Sequence, residues 1–89
     1  MPHFFFDIDN GENSTHDDTG LACERWGDVS RHAIGTLAEI ADAELPDSTD
    51  RDFVVEVRDK EGQPVFRASL ELRSAWMLPG LDDPEGPIG

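Results

Sequence analysis

From Phe53 onward the chain alternates between apolar and polar positions. Phe53, Val55 and Val57 interleave with Val54, Glu56 and Arg58. After Asp59-Lys60-Glu61-Gly62, Phe66, Ala68, Leu70 and Leu72 interleave with Val65, Arg67, Ser69 and Glu71. A period of two on both sides of a glycine-bearing break predicts a β-hairpin over Phe53 to Leu72. Setting Val57 opposite Phe66 gathers the apolar residues on one face and places Glu56 across from Arg67, an attractive cross-strand pair. A bulge at Gly62 that slipped the register by one would set Phe53 against Ser69, so the hydrophobic pattern favours the first register.

His3 to Asp9 reads as another strand, with Phe4, Phe6 and Ile8 on one face and Phe5, Asp7 and Asp9 on the other. Asn10-Gly11 is a hairpin-turn pair in which both residues tolerate positive φ. Glu12 to Asp17 is the natural, if polar, return strand, closed by the loop Asp17-Asp18-Thr19-Gly20. From Glu24 to Leu45 the period becomes helical. Trp26, Val29, Ala33, Leu37, Ile40 and Ala41 recur at steps of three and four, and Ile34, Ala38 and Leu45 widen the stripe. Gly27 and Gly35 each cost about 1 kcal/mol in a helix interior, which predicts a frayed first turn and a firm helix from Asp28. Pro46 ends it, and Asp47-Ser48-Thr49-Asp50 forms a linker.

The elements together predict an α+β domain of ββαββ order over residues 1–75. Its four-stranded, mainly antiparallel sheet carries one helix packed on one face. The outer face would hold Val54, Glu56, Arg58, Val65, Arg67 and Glu71, polar enough to meet water. Residues 76–89 form an acidic tail rich in Pro and Gly that is expected to stay flexible, with Trp76 and Met77 able to dock beside the sheet.

Composition narrows the function classes. The chain has 89 residues, enough for one domain. Seven basic against twenty acidic residues give a net charge of −13, which repels nucleic-acid phosphates and anionic membranes. The same charge permits attraction to basic protein surfaces or divalent cations. Cys23 is the only cysteine, compatible with a reducing compartment. Phe4-Phe5-Phe6, followed at once by Asp7 and Asp9, is too short for a signal h-region, and no segment approaches a membrane span of about 20 apolar residues. A cytoplasmic location is the expectation.

Three constellations invite chemistry. Asp7-Ile8-Asp9-Asn10-Gly11-Glu12 resembles a calcium loop, but its glycine arrives one place early and Asp18 stands at the twelfth position, so a hairpin turn with solvated acids is the expected reading. His16-Asp17-Asp18, with His3 across the hairpin, offers carboxylate and imidazole ligands whose spacing does not enforce convergence. Loop acids that cap the helix or sit in water are the expected reading. Cys23, next to Arg25 near a helix start, has a setting that can lower a thiol pKa, whereas the default is a packed, inert thiol. His32 is expected on the polar flank of the helix, too far to serve Cys23.

The order of these motifs resembles a family of small bacterial domains of unknown function. Phe4-Phe5-Phe6-Asp7, the Asn10-Gly11 turn, Asp17-Asp18-Thr19-Gly20, Thr36-Leu37-Ala38-Glu39-Ile40-Ala41 with Leu45-Pro46, and Val54-Val55-Glu56-Val57-Arg58-Asp59 with Gly62 and Pro64-Val65 carry the resemblance over residues 2–73. Glu24-Arg25-Trp26-Gly27-Asp28 departs from its usual helix start. The resemblance implies a fold and no mechanism. No catalytic, cofactor-binding or metal-binding residue is assigned, and no cofactor is expected. The expected partner is another protein, met at a sheet edge or in the Trp26/Trp76 region, or a second copy of the chain paired through a sheet edge. An acidic, antitoxin-like neutraliser of a basic partner is the alternative, and a divalent-cation protein using Asp7, Asp9, His16, Asp17 and Asp18 is a third.

Overall fold

The computed structural model describes residues 1–44, 50–80 and 85–88. The expected helix stop at Leu45-Pro46, the linker residues Asp47-Ser48-Thr49 and the tail residues Asp82-Asp83-Pro84 lie outside them. The chain forms β1 (His3–Asp9), β2 (Ser14–Thr15), β3 (Leu21–Ala22), α1 (Trp26–Glu44), β4 (Asp50–Arg58) and β5 (Pro64–Arg73). The strands make one antiparallel sheet in the order β2-β1-β4-β5, with β3 also pairing β1. The expected α+β class stands, one helix on a mainly antiparallel sheet, with a third short strand before the helix where ββαββ has two.

The C-terminal hairpin has the expected register. Val57 pairs with Phe66, Val55 with Ala68 and Phe53 with Leu70, and Glu56 faces Arg67 at 3.2 Å. Asp59 builds the turn, its Oδ1 accepting from the N–H groups of Glu61 and Gln63 at 2.9 Å each. The register shift falls between Val57 and Arg58, before the apolar pairs begin. Val65 sits at that irregularity and packs against the core, where strict alternation had put it on the outer face. A bulge rotates its own residues and leaves the rest of the ladder in phase.

Phe6 pairs with Val57 and Ile8 with Val55, so the apolar faces of β1 and β4 coincide under α1. Val29, Ala33, Leu37 and Ala41, one turn apart, are the buried residues of the helix, and Phe53, Val55 and Val57 on β4 have no exposed surface. Each fully buried Val or Phe of this kind contributes about 1.5–3 kcal/mol. The helical stripe is narrower than the periodicity predicts. Trp26 is 68% exposed and Ile34 56% exposed, and Ala38 is exposed too, because a single helix over a sheet buries only the strip facing it.

Three further expectations are corrected. The helix begins at Trp26 and not at Asp28. Asp28 reaches back to accept from the Arg25 N–H at 3.2 Å while the Arg25 carbonyl receives the N–H groups of Asp28 and Val29, half of a capping box that holds the turn around Gly27. The Asn10-Gly11 turn is a four-residue loop, with the Asn10 N–H bonded to the Asn13 carbonyl and only Gly11 at positive φ. Asn10 instead spends its Oδ1 on the N–H groups of Glu12 and Asn13. The return strand, expected over Glu12 to Asp17, shrinks to Ser14–Thr15, and the edge resumes at Leu21–Ala22 as a fifth strand.

Candidate functional site

β2 and β3 follow one another along the outer edge of β1. Thr15 pairs with Ile8 and Leu21 with Phe4, so the Phe6 N–H falls in the gap between them. Asp17 fills that gap. Its Oδ2 accepts from the Phe6 N–H at 3.0 Å, and its Oδ1 accepts from Thr19 and Gly20 at 3.0 and 3.1 Å. A carboxylate here does the work of a missing strand residue.

Arg58 locks this loop to the sheet. Its Nε donates to Asp7 Oδ2 at 3.0 Å, and one NH2 group meets the Asp17 carbonyl at 2.7 Å and His16 Nε2 at 2.8 Å. Its guanidinium lies 4.8 Å from the centroid of the Phe5 ring, a cation–π contact. Asp7 Oδ1 also accepts from the Asp17 N–H at 2.9 Å. Gly20 has no room for a side chain, since a Cβ there would stand 2.8 Å from the Phe5 ring, and its φ of +76° favours glycine independently.

Burial opposes ionisation of Asp7, but the Arg58 hydrogen bond, the Asp17 N–H and the charges of Arg58 and His16 outweigh it and hold the carboxyl below its ordinary range. Asp17 behaves alike: burial opposes its charge, and the N–H groups of Phe6, Gly20 and Thr19 together with Arg58 overcome it. Of the residues considered as cation ligands, Asp7, His16 and Asp17 do come together, with Asp18 3.9 Å from His16. The position between them is taken by a guanidinium. Asp9 turns instead to the Gly11 N–H at 2.8 Å, and His3 lies at the other end of β1, across from Ala22. Among the described residues no group of three or more His, Cys, Asp or Glu side chains is placed to hold a metal ion.

A second feature lies between β3 and α1. An open groove of about 540 Å³ is lined by apolar Leu21, Ala22 and Cys23 and by polar Glu24, Asp28, Arg31, His32 and Glu39. His32 packs its ring edge-on against Phe6, centroids 4.7 Å apart. Cys23 is buried, and burial together with the Asp28 charge pushes its thiol pKa up. That agrees with the default of a packed, inert thiol and removes the activated alternative, burial being the larger cause and the Asp28 charge the smaller.

The Trp26/Trp76 region is not one surface. Trp26 packs on Phe4 at 5.6 Å, at the start of β1, whereas Trp76 follows the end of β5, where Arg73 pairs with Asp50. The two tryptophans mark opposite ends of the sheet. Arg58, the hub of the capped edge, escaped sequence reasoning. Its signal was its outward position beside Phe5 and Asp7, visible only once β1 and β4 are known to be neighbours.

A family model described as a domain of unknown function (DUF6894) matches residues 3–71. The chain belongs to that family. The DUF6894 match spans β1 through Glu71 of β5, so the capped edge lies within the family domain, as do the groove but for Met1 and the hairpin but for its last two residues. No curated protein and no solved structure matches the chain. No helix is long and apolar enough to cross a membrane among the described residues.

Proposed function

We propose that this DUF6894 domain is a protein-binding module with no catalytic step of its own, and that it takes a basic segment of a partner protein into the groove between β3 and α1. The observation that carries this reading is the groove itself, whose lining combines apolar Leu21, Ala22 and Cys23 with the acids Glu24, Asp28 and Glu39, its Arg31 being paired with Asp28. An apolar strip beside carboxylates suits a segment that alternates aliphatic with Lys or Arg side chains. The groups that could do chemistry are otherwise engaged, Asp7 and Asp17 by Arg58 and backbone N–H groups and Cys23 by burial. The partner is protein, since a charge of −13 repels nucleic acids and anionic membranes. A cytoplasmic setting belongs to the same reading.

The neutraliser reading is favoured by the charge ledger of the surface. Arg31, Arg51, Arg58, Arg67 and Arg73 are each committed to internal carboxylates, so the acidic excess is left for a partner. Both readings are tested by capture from native bacterial lysate at about 0.05 M and about 0.5 M salt, against a Glu24→Lys/Glu39→Lys variant. The expected result is a partner released by salt and lost by the variant. Retention that is indifferent to both would sink the groove, and loss with salt alone would leave the neutraliser acting elsewhere on the surface.

A further inference from the structure

We infer that two copies of this chain pair through β5, antiparallel, about a two-fold axis at Ser69. This goes beyond the groove reading and does not depend on it, since β5 is the opposite edge of the sheet. Among the described residues β5 pairs only with β4, which leaves one side of a ten-residue strand without a neighbouring strand. Natural sheet edges are blunted by prolines, bulges, lysines or covering loops. Here Pro64 and the register shift guard only the first residues, and the ladder runs unbroken from Phe66 to Arg73.

The sequence of β5 is complementary to itself in one register. With Ser69 on the axis, Arg67 of each copy stands opposite Glu71 of the other, two attractive pairs by symmetry. In the same register Phe66 faces Leu72 and Ala68 faces Leu70, so both apolar faces fall on the same side of the joined sheet. Leu70, 38% exposed in one copy, gains cover there. Asp28, His32 and Thr36 line the groove beside β3, which puts exposed Ile34 on the opposite flank of the helix, the β5 side. Within one copy Arg67 pairs with Glu56 and Glu71 with Arg73 at exposed positions, so the cross-copy pairs form by sharing or exchanging these partners.

Sedimentation equilibrium of the full chain from about 1 μM to about 1 mM tests the pairing. The wild type is expected to pass from monomer to dimer. Arg67→Glu and Glu71→Arg, both at exposed positions, should each raise the dimer dissociation constant about tenfold or more, because each sets like charges opposite at two sites. An equimolar mixture of the two variants should dimerise as well as the wild type, since every introduced charge then meets its opposite. A wild type that stays monomeric throughout, single variants that dimerise unchanged, or a mixture no better than its components would each overturn the inference.

Discussion

The two edges of this sheet are finished in opposite ways. On the β1 side the edge is broken into two strands of two residues, and the gap is closed by Asp17, whose carboxylate holds the Phe6 N–H, and by Arg58, which ties that loop to Asp7. On the β5 side a ten-residue strand ends the sheet with no further strand beside it among the described residues. Both edges carry an arginine on the outer face, yet the two residues differ in kind. The Arg58 side chain is 20% exposed and has several partners, whereas Arg67 is 65% exposed and pairs with Glu56. Closing an edge with side chains makes those side chains structural, and leaving an edge open makes its side chains available.

The sharpest way to break this contrast is to exchange the two arginines for alanine in turn. Arg58→Ala should lower the unfolding free energy by about 2–4 kcal/mol, because it strips Asp7 of its counter-charge and leaves the Asp17 carbonyl and the Phe5 face without a partner. Urea unfolding followed by circular dichroism measures it.

Gly20→Ala should follow at about 2 kcal/mol, since the new methyl meets the Phe5 ring and the backbone is held at a φ that alanine resists. A wild-type urea midpoint would show that the loop can move off the sheet without cost.

Acid sharpens the comparison further. Asp7 and Asp17 have folded pKa values below their unfolded ones, so their contribution is complete above the unfolded value of about 3.9 and is lost as pH falls through the folded values. Stability should therefore decline below about pH 4, and Asp17→Asn, already weaker at neutral pH by about 1 kcal/mol, should show a shallower decline. Equal slopes in urea midpoints against pH would remove Asp17 from the account.

Smallest of all, Arg67→Ala should change monomer stability by no more than about 0.5 kcal/mol, as exposed ion pairs contribute little. A loss as large as that of Arg58→Ala would erase the distinction between the edges.

The same contrast decides what could be read in advance. The Glu56–Arg67 pair was legible because a hairpin brings sequence neighbours together, and alternation from Phe53 to Leu72 leaves one register that keeps the faces apart. The capped edge was not, because Asp17 and Arg58 are joined only through β1 lying beside β4, and nothing local in either segment announces that pairing. Leu21–Ala22 is too short to show a period at all. Trp26 and Ile34 obey the helical period and are nonetheless exposed, since periodicity tells where a stripe is centred and the width of the covered strip is set by the sheet. Cys23 lies beside a helix start and is buried, as a lone cysteine ordinarily is, and that burial, with the Asp28 charge second, raises its thiol pKa.

One feature of the topology bears on how the chain comes to be folded. β1 is an interior strand whose inner neighbour, β4, lies in the second half of the chain. During synthesis Phe4, Phe5 and Phe6 leave the ribosome well before Val55 and Val57, and no earlier element can give them their full cover. The C-terminal hairpin can close by itself within its own short loop, but the aromatic run must wait for it. Vectorial synthesis thus holds the stickiest segment of this chain open the longest, and the acids that follow it at once, Asp7 and Asp9, keep that segment soluble during the delay.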